Sequence, residues 1–253
     1  MKIIGVIPAR LGSSRFPNKP LKLISQIPMI EHVRRRALRV PSLSEVYVAT
    51  CDKEIFDLVV SNGGKAIMTS SEHERCTDRV HEAIQELNAD IIVMIQGDEP
   101  LFLPKTIESL LIPLKENLSL GVSNVIHPVS NPEELNDQNV VKVVINKKEQ
   151  MLLLSRACIP SKKYNPDFTY YKQTGLMAFT KKFLSDYSSL EPTPLEIQES
   201  IDMLRVLEHS RPLQAVIIEG DTIGVDTPAD IDKVESILNT DKQQNELFKA
   251  INN

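Results

Sequence analysis

The sequence predicts an α/β fold, a mostly parallel sheet with helices on both faces and a small β-hairpin or arm insertion. Three observations predict it. Short continuous apolar runs alternate with amphipathic stretches along most of the 253 residues, the pattern of doubly covered strands joined by crossover helices. The composition, 42% hydrophobic and 25% charged, is that of a globular chain and excludes disorder and fibrous repeats. The polar segments richest in reactive side chains come directly after predicted strands, where open parallel sheets bind their ligands. One domain is expected over 1–240, with the insertion at about 122–178 and a polar tail at 241–253.

The first strand covers 2–7. A polar loop leads to a helix over 29–38, in which Ile30, Val33, Ala37 and Leu38 recur at helical spacing. The strand 45–50 completes the first βαβ unit. The rhythm repeats as helix 54–61, strand 65–68, helix 78–87, strand 90–95 and helix 104–116, whose Pro104 suits a first helical turn. From 122 the strands 122–127, 140–145 and 151–154 follow one another across short polar links, as in a hairpin-like insertion. The segment 159–171, rich in Pro, Lys and Tyr, reads as an irregular arm before the strand 175–179. Helices 181–187 and 195–208, strand 213–218 and helix 228–238 complete the fold, and the tail after 240 is expected to fray or form an exposed helix.

A formal net charge of −5 argues against a chain that coats nucleic acid or anionic lipid. Aromatics at 5% and no Trp leave few platforms for stacking bases. Apolar runs such as 90–95 fall far short of the roughly 18 residues that span a bilayer. The N-terminal apolar stretch meets Arg10 soon after Pro8, so it reads as a strand, not a leader, and a cytoplasmic location is expected. Cys51, Cys76 and Cys158 have no short spacing, so neither a disulfide framework nor a zinc site is expected. His32, His81, His127 and His209 show no HxH or HExxH spacing and read as surface or structural residues. The run of arginines at 34–36 reads as a solvated helix face.

Three segments carry chemistry. PARLGSSRFPNKPL, at 8–21, sets Arg10, Arg15 and Lys19 among Gly12, Ser13 and Ser14 between a strand and a helix. Backbone N–H groups and hydroxyls there can reach phosphate oxygens while the cations neutralise charge. The spacing is neither GxxxxGK[ST] nor GxGxxG, and a merely solvated loop would account for one or two of the three cations. QGDEP, at 96–100, follows a strand and offers Asp98 to a Mg²⁺ ion, a hard cation bound by one or two carboxylates plus phosphate oxygens; a helix cap near Pro100 is the competing reading. GVDTP, at 224–228, offers Asp226 as a second carboxylate, although Asp, Thr and Pro also make an ordinary helix start, the better reading of that segment alone.

In this order the segments resemble the 3-deoxy-manno-octulosonate (KDO) cytidylyltransferases, the CMP-KDO synthetases. The similarity spans about 1–238. It includes IPARLGSSRFPNKPL, VYVAT, the TDR at 77–79, QGDEP, VVKVV at 140–144, SRACIP at 155–160, PTPLE with LRVLEH, and GVDTPADI. The resemblance implies a nucleotide-diphospho-sugar transferase fold, a homodimer joined through the arm and the helix from Leu195, and a cytoplasmic role in lipopolysaccharide biosynthesis. The implied reaction is CTP plus KDO giving CMP-KDO and pyrophosphate, in which the anomeric hydroxyl attacks the α-phosphorus and pyrophosphate leaves in line. It implies catalytic roles for Arg10, Lys19, Asp98 and Asp226, with Mg²⁺ on the two aspartates. The implied CTP contacts are Ala9, Arg10, Gly12, Ser13, Ser14, Arg15, Lys19, His73, Thr77 and Arg79. The implied sugar-acid contacts are Gln96, Lys142, Arg156, Gln173, Glu199 and Asp202, with Arg156 pairing with the sugar carboxylate.

Departures from the family pattern cluster on the sugar side. A His and a Tyr of the pattern are absent from 173–177, and Met203 replaces a Gln. On the nucleotide side Arg75 and Cys76 replace a small pair, Cys51 an Asp, and Asn18 a Gly, the mildest change because Asn tolerates left-handed backbone. Because exchanging polar groups in a hydroxyl-binding pocket changes which substrate is accepted, 8-amino-KDO or a nonulosonate is an alternative acid. A nucleotide-binding paralogue without catalysis is a further alternative, and joint retention of Arg10, Lys19, Asp98 and Asp226 argues against it. A glycosyltransferase would want a DxD-like metal motif of its own kind, and none follows a predicted strand here.

Overall fold

β1 (Ile3–Ala9) is buried along its whole length, as a parallel strand covered by helices must be. The computed structural model describes residues 1–12, 16–220 and 223–252. The chain divides into two compact units, Met1–Glu108 with Thr222–Asn253, and Ser109–Asp221.

In the first unit, β2 (Leu23–Ile24) and β3 (Ile27–Pro28) form a small antiparallel hairpin. Its turn residues Ser25 and Gln26 have φ of 46° and 72°, the pair of positive values that suits a two-residue hairpin. Then come α1 (Met29–Ala37), β4 (Glu45–Thr50), α2 (Lys53–Ser61), β5 (Lys65–Met68), α3 (Cys76–Ala83), β6 (Ile91–Ile95) and, as far as Glu108, the start of α4 (Pro104–Glu116). The strands of this unit run in the order β6-β1-β4-β5, all parallel. α1 and α3 pack on β1 and β4, and α2 on β4 and β5.

The arginine run on α1 is not the solvated face expected. Arg34 grips the fully buried Glu31 through Nε and Nη2, both at 2.7 Å. Arg36 is itself fully buried, and burial lowers its pKa to about 10. Its Nη1 donates to Phe102 O and Gln244 Oε1. Chain packs around most of this helix, so its cations find partners inside.

The second unit contains β7 (Val122–Pro128), β8 (Lys142–Ile145), β9 (Met151–Ser155), β10 (Tyr171–Thr180), α5 (Lys181–Ser188), α6 (Pro194–Glu199), α7 (Leu204–Glu208) and β11 (Gln214–Ile217). β10 runs antiparallel to β7 and β8, β8 antiparallel to β9, and β11 parallel to β7. The strand expected at 175–179 begins at Tyr171, because a bulge between Gln173 and Met177 breaks the alternation by which a strand is read. The helix expected over 195–208 is two helices, since Ser200 ends α6 in left-handed backbone, φ 53° and ψ 51°.

α8 (Pro228–Thr240) and α9 (Lys242–Asn252) return to the first unit. The polar tail is thus an ordered helix. Arg35 of α1 and Arg39, just after that helix, donate to the carbonyls of Ile251 and Ala250 at its C-terminal end, where cations are favoured. Gln244 spans from Arg36 to Leu101 O. Phe16, Leu101 and Val225, one from beside each chemical segment, share a buried cluster with Ile24, Met29, Val234 and Leu238.

Candidate active site

The three segments singled out in the sequence meet in the first unit. Gly97 lies against the end of β1, where a Cβ would come within 3.2 Å of Pro8 O, a tight approach to backbone that favours glycine in the turn after β6. Val225 N donates to Asp98 O at 2.9 Å, tying GVDTP to QGDEP. Asn18, at φ 56° and ψ 28°, starts the short 3₁₀ turn Lys19–Leu21 and aims Lys19 at both. Asn fills the left-handed position as its chemistry allows.

The Lys19 ammonium donates to Asp98 Oδ2 at 2.7 Å, Val225 O at 2.8 Å and Asp226 Oδ1 at 3.3 Å, which engages all three of its donors. Burial alone would lower its pKa, but the charges and hydrogen bonds of Asp98 and Asp226 outweigh burial and hold the group above its usual value. The two carboxylates expected to act together therefore converge on one cation.

Beside them opens a cavity of about 380 Å³, within the size range of small-molecule sites. Of the residues expected at the nucleotide, Ala9, Arg10, Gly12, Lys19, His73 and Arg79 line it, as do Gln96 and Asp98. Ser13, Ser14 and Arg15 fall outside the described residues. Thr77, also expected there, is fully buried inside the first turn of α3 and is not in the wall; the N-terminal turn faces the core at that position. Buried Arg79 shapes the wall by donating to the Thr69 hydroxyl and the carbonyls of Ser70 and His73. His73 in turn pairs with Glu82. Burial opposes the charge on Glu82, yet hydrogen bonds from Ser70 N–H and His73 keep its carboxyl below the ordinary range.

Residues 4–217 match the family model described as Cytidylyltransferase. The chain belongs to the cytidylyltransferase family. This cytidylyltransferase is 38% identical over 244 residues to the 3-deoxy-manno-octulosonate cytidylyltransferase of Escherichia coli, covering 96% of this chain and 99% of that one. It is 40% identical over 245 residues to the 8-amino-3,8-dideoxy-manno-octulosonate cytidylyltransferase of Shewanella piezotolerans, covering 95% of this chain and all of the other. Among solved structures it resembles a CMP:2-keto-3-deoxy-manno-octonic acid synthetase complexed with CTP. That match has a TM-score of 0.89 and 38% identity, over 94% of this chain and 99% of the other. The resemblance noted in the sequence and the α/β fold it implied both hold, and the chain is a nucleotidyltransferase.

The remaining expected residues of the cytidylyltransferase lie in the second unit. Lys142 is fully buried, and its Nζ donates to the carbonyls of Asp137, Val140 and Arg156 at 2.6–2.7 Å. Arg156 directs Nε, Nη1 and Nη2 to the carbonyls of Glu199, Gln138 and Ser200. Both side chains thus serve backbone carbonyls. The Glu199 carboxylate accepts from Ser155 Oγ and Arg156 N at 2.7 and 2.8 Å, and Asp202 O accepts from Tyr187 Oη. Gln173 Nε2 donates to buried Asn124 Oδ1 at 2.6 Å, and Met203 is fully buried.

Sequence reasoning did not assign Glu74, Arg75 or Cys76 to the site, and all three line the cavity. The thiol of Cys76 donates to Gln96 Oε1 at 3.5 Å. The signal was the departure from a small pair at 75–76, directly before the TDR of 77–79.

Proposed function

We propose that this cytidylyltransferase couples CTP to a 3-deoxy-2-keto sugar acid, KDO or a close analogue, giving the CMP-sugar and pyrophosphate for lipopolysaccharide assembly in the cytoplasm. The observation that carries the reading is the convergence of Asp98 and Asp226 on Lys19 beside a cavity walled by Arg10 and Arg79. Near-full-length relatives named for KDO and its 8-amino analogue support the acid.

Mg²⁺ is the proposed cofactor, with Asp98 and Asp226 as its ligands. Among the described residues no group of three or more His, Cys, Asp or Glu stands together, so the chain offers two carboxylates and leaves other positions for phosphate oxygens. Two carboxylates already gathered around one cation fit that arrangement. When bound, the ion supplies charge neutralisation at the triphosphate and a lowered pKa for the attacking hydroxyl. Arg10 and Lys19 orient the phosphates and offset the charge that accumulates on departing pyrophosphate. The walls made by His73 and Arg79 hold the cytidine, and Gln96, in the same wall, is the proposed sugar contact.

A homodimer is proposed through the second unit. Its exposed large apolar side chains include Leu152, Tyr164, Phe168, Leu195 and Ile197, on the arm and helix expected to meet a partner.

The 8-amino acid is the second reading, favoured by the relative from Shewanella piezotolerans. Offering KDO, 8-amino-KDO and nonulosonates with CTP and Mg²⁺, and weighing the CMP-linked product, separates the two. KDO turnover supports the first reading; an inert KDO beside a reactive 8-amino-KDO supports the second.

A further inference from the structure

Asp52 stands at the N-terminal boundary of α2 in extended backbone, φ −103° and ψ 120°. An aspartate at that position ordinarily accepts from an early N–H of its own helix and stabilises it by about 1 kcal/mol. Asp52 makes no such bond. Its Oδ2 accepts instead from Leu11 N at 2.7 Å. Its own N–H donates to Thr50 Oγ1 at 3.1 Å, and the Cys51 thiol approaches the same Oδ2 at 3.6 Å. The register explains the reach, because β1 and β4 are parallel neighbours with Ala9 opposite Thr50, and the loops after them emerge side by side.

Leu11 lies between Arg10 and Gly12, both in the cavity wall. Its carbonyl accepts from Asn18 N at 3.4 Å, and Asn18 begins the turn that aims Lys19 at Asp98 and Asp226. One residue of the loop is therefore gripped on both sides, its N–H by Asp52 and its C=O by the residue that sets Lys19. A carboxylate so close to a triphosphate site would by charge alone oppose the nucleotide, so its presence is accounted for by the bond it accepts. We propose that Asp52 is a positioning residue of cytidylyl transfer, holding the Leu11 backbone so that Arg10 and Gly12 keep their places in the wall of the CTP site.

The inference rests on the reading of this cavity as the CTP site. Its test is CTP affinity by calorimetry, with steady-state kinetics, apo melting temperature and Leu11 amide exchange, for Asp52→Ala and Asp52→Asn. Asp52→Ala is expected to raise both Kd and KM for CTP about ten-fold, the loss of one charge-assisted hydrogen bond. Its apo melting temperature is expected to fall by no more than about 4 °C, the cost of one hydrogen bond that caps no helix. Asp52→Asn keeps an acceptor oxygen and is expected to bind CTP at least as tightly as wild type. Leu11 exchange should quicken in the Ala variant and not in the Asn variant. Wild-type affinity in Asp52→Ala, or equal weakening in both variants, would overturn the proposal; if Asp52→Ala does not fold, a ten-fold loss in Asp52→Asn overturns it. A wild-type protein that fails to bind CTP sinks the reading of the cavity instead.

Discussion

Lys19 carries the counter-charge for two carboxylates that would otherwise repel each other beside the cavity. Removing one of them leaves the ammonium its bonds to Val225 O and Asp226, so Asp98→Ala should fold with a melting temperature within about 2 °C of wild type. Its kcat should fall by at least about a hundred-fold, the scale seen when one charge-stabilising group is lost from an active site. Stopped-time pyrophosphate assays beside a thermal melt check both halves, and an active variant would dismiss the role of Asp98. That Arg10, Lys19 and Asp98 would meet was legible in the sequence, because loops after neighbouring parallel strands emerge at one edge of the sheet. The bonds that hold Lys142 and Arg156 were not, because their partners are backbone carbonyls, which every residue carries and no motif marks. Nor was the burial of Thr77, because a motif gives a position in the chain and not the side of the helix that faces the cavity.

The start of α8 shows how an element holds a functional residue. Asp230, in its first turn, accepts from the backbone N–H groups of Asp226 and Thr227 and pairs with Lys233. Burial would raise its pKa, but those bonds outweigh burial and bring it from 3.8 to about 2. A folded pKa below the unfolded one adds stability that is complete above the unfolded value and is lost as pH falls through the folded one. Between pH 6 and pH 3 the stability advantage of the wild type over Asp230→Asn should therefore shrink by about 1 kcal/mol. Urea unfolding of both proteins at the two pH values measures it, and a constant difference would contradict the assignment. β1, β4, β5 and β6 were legible as apolar runs, and α4 and α8 from proline at their starts. The break between α6 and α7 was hidden, since Ser200 takes left-handed backbone without glycine or proline. What ends the helix is distant: Arg156 takes the carbonyls of Glu199 and Ser200, and Arg205 of α7 folds back on buried Glu196 at 2.6–2.7 Å. The tail was read as polar because α9 is anchored by amide and guanidinium contacts with an apolar stripe too short to announce a core helix.

The charge of −5 and the lack, among the described residues, of any helix long and apolar enough to cross a membrane are compatible with an enzyme whose substrates are small anions. Several of its basic side chains are spent locally, on the cavity wall and on internal partners. Ile197 is 64% exposed on α6 and Leu152 58% exposed on β9, a cost in apolar surface that a partner would relieve. Ile197→Asp should shift the protein from dimer toward monomer in light scattering at micromolar concentration, and an unchanged mass would remove this face from the proposed interface. The fold class was legible because strand and helix periods persist along the chain, whereas the limits of the two units depend on contacts between distant segments. The most direct test of the central claim is a time course of CTP, Mg²⁺, KDO and enzyme in which pyrophosphate and the CMP-linked sugar are measured together. The account predicts that the two rise one for one from the start. CTP bound by the enzyme with neither product formed, for KDO or for its 8-amino analogue, would contradict it.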